Sequence, residues 1–333
     1  MEERYLKADI LKLLRESEDY ISGQQLCEQF GVSRTAVWKV INQLKEEGYQ
    51  VEAVRNRGYR IIDDSDVITK EELESRLQDQ TKWAGQKLTV FEETDSTNVQ
   101  AKQLGEQGAE HGLLVVADQQ NAGRGRRGRN WESPKGSSIY MSLLLRPEFA
   151  PNKAPMLTLV MAHSVGKALK HCTGLDVKIK WPNDLILNGK KIVGILTEMS
   201  TEIDYINYVV IGVGINVNGT TFPEELADKA TSLCIEAGHP VQRSFIIAEI
   251  MKQFEADYAQ FLKTEDLSWM KTSYNERLVN FGQEVVIHEP SGAYQARALG
   301  INDTGELLVQ KEDGSEDAIY AGEVSVRGVY GYV

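Results

Sequence analysis

Gln119-Gln-Asn-Ala-Gly123-Arg-Gly125-Arg-Arg-Gly128-Arg129-Asn-Trp131 is the stretch of this chain best suited to hold an anion. Residues 121–135 carry Arg124, Arg126, Arg127, Arg129 and Lys135 against Glu132 alone. Glycine spacing lets backbone amides approach a ligand while guanidinium forks grip its oxygens in pairs, so nucleotide phosphates are a natural guest. The same composition also suits a solvated basic loop or a nonspecific nucleic-acid contact. Gly123 to Gly128 matches G-x-G-x-x-G literally, but a dinucleotide site needs a helix straight after the glycines. Trp131-Glu-Ser-Pro134-Lys-Gly136 cannot continue as one. No G-x-x-x-x-G-K-[ST] occurs, so ATP chemistry here is not of the P-loop type. A second polar group, Lys180-Trp-Pro-Asn183-Asp184, leads into Asn188-Gly189 and Lys190-Lys191. Two lysines at a turn are usually solvated. A lysine opening the apolar run Ile192-Val-Gly-Ile-Leu can instead aim a fixed positive charge into a cleft.

These residues need a scaffold, and the periodicities predict one. Strands are expected at Leu88–Phe91, Leu113–Ala117 and Ser138–Leu145, with a helix opening at Ser96-Thr97-Asn98 and running to about Gly105. Met156 to Lys170 reads as a helix stopped by Gly174. Val177–Leu187 and Lys191–Met199 flank Asn188-Gly189, a strong hairpin signal, and Tyr208–Val217 reads as a buried strand with a Gly-Val-Gly bend. Hairpins of this kind predict a mixed α/β sheet and exclude a doubly wound parallel one. Phe245–Leu262 and Leu267–Glu276 read as helices. Past Phe281, short strands alternate with turns at Glu289-Pro-Ser-Gly, Asn302-Asp-Thr-Gly and Glu312-Asp-Gly, which predicts a small β barrel.

The first 62 residues read as a separate unit. Leu6, Ile10, Leu13 and Leu14 mark one helix, Ser22 opens a second, and Gly31-Val32 breaks it. Ser33 is a good N-cap for a third helix, with Ala36, Val37, Val40, Ile41 and Leu44 on one stripe and Arg34, Thr35, Lys39 and Gln43 on the other. Two short helices joined by Gly-Val-Ser form a helix-turn-helix signature, and the hairpin Val51–Ile62, with Arg55-Asn56-Arg57-Gly58 at its tip, is placed where a wing belongs. Between Arg34 and Arg60 six basic residues face three acidic ones, a net +3 inside a chain whose formal charge is −12. That local excess predicts DNA binding through Ser33, Arg34, Thr35, Lys39, Arg55 and Arg57: the third helix in a major groove, the wing on phosphates. A module this small binds weakly as a monomer, so a dimer on a two-fold symmetric operator is part of the expectation.

At 333 residues the chain is long enough for two or three domains. Cys27, Cys172 and Cys234 stand far apart, and the five histidines form no metal-binding motif, so neither disulfides nor structural zinc is expected. The charged N-terminus lacks an apolar core, and the longest charge-free run, Tyr205–Pro223, is interrupted by asparagines and glycines. The expectation is a cytoplasmic protein without a membrane partner.

Taken together, Gly123-Arg-Gly-Arg-Arg-Gly-Arg129, Lys180-Trp-Pro-Asn-Asp184 and Lys191-Ile-Val-Gly194, preceded by Ser96-Thr-Asn98 and followed by Gly212-Val-Gly-Ile-Asn216, closely resemble bifunctional biotin–protein ligases of the biotin operon repressor type. Order and spacing match over essentially the whole chain. The resemblance implies an α+β multidomain protein: a winged helix-turn-helix at 1–63, a linker at 64–86, a mixed α/β catalytic domain of the class II synthetase-like type at 87–277, and a small SH3-like β barrel at 278–333. It further implies that biotin and MgATP give biotinyl-5′-AMP and pyrophosphate, and that the acyl group then passes to a lysine of a biotin carboxyl carrier protein. Lys191 and Arg126 are the implied catalytic cations. Ser96, Thr97, Asn98, Gln120, Arg124, Gly125, Arg126 and Lys191 match biotin positions, and their mixed donors and acceptors suit a ureido group. Arg126, Arg129, Asn183, Asp184 and Asn216 match nucleotide positions, with Trp131 the candidate adenine partner, since the segment near Ala230–Leu233 has no aromatic where some family members place one. Magnesium is implied by ATP, without a dedicated carboxylate cage. The adenylate would also act as corepressor of a homodimer on operator DNA. Two competing readings are a regulator that senses a ligand without turning it over, and a lipoate or octanoate ligase. The retained Lys191 and arginine loop oppose the first. The polar set Ser96-Thr-Asn98 and Gln120 opposes the second.

Overall fold

The structure is a computed structural model that describes residues 3–63, 65–289, 292–320 and 325–328. Two compact units divide the chain, Met1–Gln80 with Gln242–Ala248, and Thr81–Val241 with Glu249–Val333.

In the first unit, α1 (Glu3–Glu16), α2 (Gly23–Phe30) and α3 (Arg34–Glu46) precede a hairpin of β1 (Gln50–Val54) and β2 (Gly58–Asp63). Ser22 and Ser33 cap α2 and α3 as their sequence positions predict, Ser22 through a full capping box with Gln25. The apolar stripes of the three helices meet in a shared core: Ile10, Leu11, Leu14, Leu26, Val37, Ile41 and Leu44 are almost completely buried. Ile21 pairs with Tyr59 as a third short rung of the wing. Gly58 is required there, because its φ is +120° and a Cβ would fall 2.0 Å from the Ile21 carbonyl oxygen.

The stretch 64–86, read as a linker with a short helix at Thr69–Leu77, carries α4 (Lys70–Leu77) capped by Thr69. Leu73 and Leu77 are fully buried in it, and Glu72, 1% exposed, anchors a polar knot. Its carboxylate accepts from Arg15, Arg76, Tyr49 Oη and Ser244 Oγ. Burial and then the Glu72 charge hold the Tyr49 phenol far above its ordinary range, so Tyr49 stays a donor.

The second unit is built on a seven-stranded sheet ordered β3-β4-β5-β9-β8-β7-β6. Its strands are β3 (Lys87–Thr94), β4 (Leu113–Gln120), β5 (Ser138–Leu145), β6 (Lys178–Lys180), β7 (Asp184–Leu187), β8 (Lys190–Thr201) and β9 (Ile206–Asn216). Only β3 and β4 run parallel, joined by α5 (Thr97–Glu106); every other pairing is antiparallel. That is the mixed sheet the hairpin signals predict. The expected single strand Val177–Leu187 is two, because a turn at 181–183, which contains the cis Trp181–Pro182 peptide, folds β7 back against β6. Asn188 and Gly189 both take positive φ at the tip of the β7–β8 hairpin, as their types predict.

Residue parity decides which helix covers which face. Ala101 of α5 packs with Leu144, Tyr208 and Val210, even positions of β5 and β9. On α6 (Met156–Thr173), Thr158 hydrogen-bonds Thr197 at 2.7 Å, and Thr197 pairs with Ile211, an odd position facing the other way. Two helices therefore cover opposite faces. Further along come α7 (Leu233–Ala237), which the sequence reading did not anticipate, α8 (Arg243–Thr264) and α9 (Lys271–Arg277).

Strands β10 (Glu284–Glu289), β11 (Gly292–Ile301), β12 (Leu307–Gln310), β13 (Glu316–Ile319) and β14 (Ser325–Gly328) form a five-stranded antiparallel sheet ordered β13-β12-β11-β10-β14. The Asn302–Gly305 turn is held by Asn302 Oδ1, which accepts from the amides of Thr304 and Glu306, and the Gly305 carbonyl accepts from Trp181 Nε1 at 3.0 Å. Residues 290 and 291 of the expected Glu289-Pro-Ser-Gly turn lie outside the described residues. Among the described residues no helix is long and apolar enough to cross a membrane.

Candidate active site and nucleic-acid face

On the α5 face of the large sheet, three strands present a nearly bare patch of backbone. Ser142, Gly212 and Leu196 form one row across β5, β9 and β8, and Tyr140, Gly214 and Gly194 form the next. The Gly-Val-Gly of β9 is accordingly no bend: the strand runs through it, and the glycines clear space above it. Asn98 lies so close over Gly212 that a Cβ there would sit 2.0 Å from its Oδ1. The Trp131 indole lies over the second row, 2.6 Å and 2.7 Å from Cβ positions at Gly214 and Gly194.

The N-terminus of α5 supplies the polar wall. Ser96 occupies the N-cap position, yet its side chain makes no cap hydrogen bond. Asn98 Nδ2 donates to Glu198 at 2.8 Å, and Asn98 Oδ1 lies 2.6 Å from Ser142 Oγ, which also meets Thr97 Oγ1 at 2.8 Å. Burial works to raise the Glu198 carboxyl, but hydrogen bonds from Lys102 and Asn98 outweigh it and leave the group below its ordinary value. A charged Glu198 thus fixes which way the Asn98 amide points. Gln120, at the end of β4, accepts from the Thr97 amide at 2.8 Å and donates to Ser133 at 3.0 Å.

Lys191 arrives through a bulge. Asp184 pairs with Gly194 and Leu185 with Val193, but Ile186 pairs with Lys191, leaving Ile192 as an extra residue in β8. Strict alternation from Gly194 would turn Lys191 to the α6 face; the bulge turns it to the glycine face, where its Nζ lies 3.2 Å from a Cβ at Gly194. There it meets Asp184 at 2.7 Å and stands 5.2 Å from the Trp131 ring. Backbone bonds to Lys229 and Thr231 brace it on the outer side.

The basic loop folds as a small hairpin. Gly125 N donates to Arg129 O at 2.7 Å and Trp131 N to Gly123 O at 3.0 Å, around a 3-10 turn at Arg126–Gly128 in which Arg127 and Gly128 take positive φ. No helix follows, so the dinucleotide fingerprint is indeed only a literal match. Arg126 Nη1 donates to Asn183 Oδ1 at 3.0 Å. Burial holds the Arg126 guanidinium below its ordinary value, while Asp184 pulls it up.

Ser96, Thr97, Asn98, Gln120, Arg124, Gly125, Arg126, Trp131, Asn183 and Lys191 line one hollow of about 50 Å³ together with the glycine rows. Asp184 joins through Lys191. Asn216 does not line it; its Nδ2 holds the Thr231 carbonyl at 3.1 Å. Arg129 is exposed at the rim. What sequence reasoning missed are Ser142 and Glu198, 44 and 100 positions from Asn98, for which no local signal exists. Gly212→Ala is expected to weaken binding of the cognate small ligand at least tenfold, because Asn98 is pinned from both sides and cannot yield. Calorimetric titration checks this, with a near-native melting curve as control. Among the described residues no three His, Cys, Asp or Glu side chains gather as a metal site.

In the first unit, Arg34, Thr35 and Lys39 stand exposed on α3, and a separate groove is lined by Ser22, Gln24, Arg34, Arg55 and Arg57. Arg34 donates to Gln24 at 2.9 Å. Arg57 meets Asp19 at 3.0 Å and lies 4.2 Å over the Tyr20 ring, so the wing's tip is braced against the segment before α2 while the guanidinium stays 58% exposed.

A polar-walled hollow on a mixed sheet, followed by a small antiparallel sheet and preceded by a winged helix-turn-helix, defines a class of ligase. The chain belongs to the biotin/lipoate A/B protein ligase family, whose model matches residues 90–216; an HTH domain matches 7–60 and a biotin protein ligase C-terminal domain 281–327. Among its relatives is the bifunctional ligase/repressor BirA of Bacillus subtilis, 40% identical over 96% of this chain and 98% of that one. The BirA of Escherichia coli is 30% identical over 98% of this chain and 99% of its own length. A biotin protein ligase from Aquifex aeolicus, solved with biotin and ATP, superposes with a TM-score of 0.65 at 32% identity, covering 73% of this chain and 99% of that one.

Proposed function

We propose that this chain is an ATP-dependent biotin–protein ligase that forms biotinyl-5′-AMP, transfers biotin to a lysine of a biotin carboxyl carrier protein, and represses biotin genes as an adenylate-loaded homodimer in the cytoplasm. The observation that carries the reading is the convergence of Lys191 and Arg126 with the Ser96–Asn98 and Gln120 wall on one hollow. The work divides between a DNA-binding winged helix, a catalytic domain and the C-terminal sheet.

In the first step a biotin carboxylate oxygen attacks the α-phosphorus of ATP and pyrophosphate leaves. Two anions must approach, and Lys191 and Arg126 offset their repulsion and the charge that develops. In the second step an acceptor lysine amine attacks the acyl carbon of the mixed anhydride, and AMP leaves. Ser96, Thr97, Asn98 and Gln120 hold the ureido ring; Arg124 and Gly125 close over the acyl chain; Arg129, Asn183, Asp184 and Asn216 serve the nucleotide, with Trp131 as adenine platform. Magnesium bound to the nucleotide's phosphates would neutralise part of their charge, with Asp184 the acidic side chain of the nucleotide set. The 123–131 loop borders the hollow, and its closure over the mixed anhydride would keep water from hydrolysing it.

Labelled biotin should pass to a carboxyl carrier domain only when ATP is present, and lipoate should not compete for biotin-dependent pyrophosphate release. Biotin bound without transfer would instead favour a ligand-sensing regulator. Operator affinity should rise when biotin and ATP are added together; equal affinities would sink the corepressor role. The double variant Arg34→Ala, Arg57→Ala should bind operator DNA roughly ten- to a hundredfold more weakly, with a shallower salt dependence, while biotin transfer persists. Gel-shift and transfer assays on the same preparation check both halves.

A further inference from the structure

Helix α3 leaves one large side chain unexplained. Val37, Val40, Ile41 and Leu44 hold the helix to its core, each under a tenth exposed, while Trp38, at the flank of that stripe one turn before Ile41, is 60% exposed. Tryptophan is seldom left to water on this scale, and among the described residues its ring has no aromatic or cation partner. Its neighbours on the same face are Arg34 one turn back, Thr35, and Lys39. A ring between two cations on the outward face of a helix-turn-helix's second helix suits a polyanion with apolar features in a groove. The major groove of DNA offers such features only as the 5-methyl groups of thymine.

We infer that Trp38 is a specificity-determining residue that packs its indole face on a thymine methyl of the operator while Arg34 and Lys39 take phosphates. This rests on the DNA-binding reading given above. A neutral side chain adds selectivity without adding to the salt dependence, which separates its contribution from that of the arginines.

The test uses the full chain with biotin and MgATP. A random duplex pool is enriched on the wild-type protein, and the recovered duplex is remade with deoxyuridine for thymidine, which deletes only the methyl groups. Wild type is expected to bind the deoxyuridine duplex roughly tenfold more weakly, the size of a typical single base-pair discrimination. Trp38→Ala is expected to bind the thymine duplex roughly tenfold more weakly than wild type, to treat both duplexes alike, and to keep the wild-type salt slope. Trp38→Phe should fall between, and decides the matter together with the wild-type deoxyuridine result if the alanine variant does not fold. Discrimination against deoxyuridine that survives in Trp38→Ala or is undiminished in Trp38→Phe, or wild-type affinity in Trp38→Ala, overturns the inference and assigns the ring to a protein contact. No enriched sequence with wild type removes the DNA-binding reading itself, a separate failure visible before any variant is made.

Discussion

Replacing Lys191 by alanine is expected to slow biotin-dependent ATP–pyrophosphate exchange by roughly 100- to 1,000-fold, the loss typical when one fixed electrostatic contact to a developing charge is removed. The structure argues for the upper half of that range. Lys191 is aimed by the Ile192 bulge, braced through Lys229 and Thr231, and paired with Asp184. Its loss removes a positive charge and leaves the Asp184 carboxylate, whose side chain is 15% exposed, facing two incoming anions. Asp184→Asn in the Lys191→Ala background should therefore recover part of the lost rate, although it restores no cation. Lys191→Arg should retain more activity than alanine, without reaching wild type, because a planar fork does not reproduce a point charge. Exchange within tenfold of wild type in Lys191→Ala would show that Arg126 alone carries the electrostatic load.

The second large effect concerns stability. Glu72→Ala is expected to cost the first unit about 3–5 kcal/mol, since it removes the buried carboxylate that Arg15 and Arg76 share and that accepts from Tyr49 and Ser244. For a unit of this size that lowers its melting transition by on the order of 15 °C. Calorimetry should resolve the displaced transition, and operator binding should vanish at temperatures where the wild type still binds. Glu72→Gln should lie between, since its one amide oxygen can still accept from Tyr49 or from Ser244, while both ion pairs are lost. A transition moved by less than about 3 °C would mean that the knot is a wet surface network rather than a buried one.

Local chemistry made much of this fold readable. Ser22 and Ser33 announce their helices, Asn188-Gly189 announces its hairpin, and the stripe Val37, Val40, Ile41 and Leu44 announces the core side of α3. Of the residues that line the hollow, the arginine loop and Lys191 stood out by type and spacing while leaving a solvated surface open, and Ser96, Thr97, Asn98 and Gln120 were reached through the family resemblance. Three features were not readable. The break at Trp181–Pro182 interrupts a run that is apolar on both sides, so hydropathy sees one strand where two are antiparallel. The bulge at Ile192 is a matter of pairing register, which no single strand carries in its own sequence. Glu72 reads as an ordinary exposed acid of a short helix, and only the assembled arginines and tyrosine around it make it central. Trp38 escapes a sequence reading for the opposite reason: one turn before Ile41 it sits at the edge of a clear apolar stripe, where pattern alone would bury it.

The glycine rows under Asn98 and Trp131 have a consequence for selectivity. A strand interior spends its amides and most of its carbonyl capacity on neighbours within the sheet, and the Leu196 carbonyl already takes a further bond from Asn98 Nδ2, so the platform offers a guest little beyond contact. All directional information must come from the perimeter, where Thr97, Asn98, Gln120, Arg126 and Lys191 stand. Such a site judges a molecule by its outline: it accepts a flat or thin body whatever its faces carry, and rejects one whose edge presents a polar atom in the wrong place.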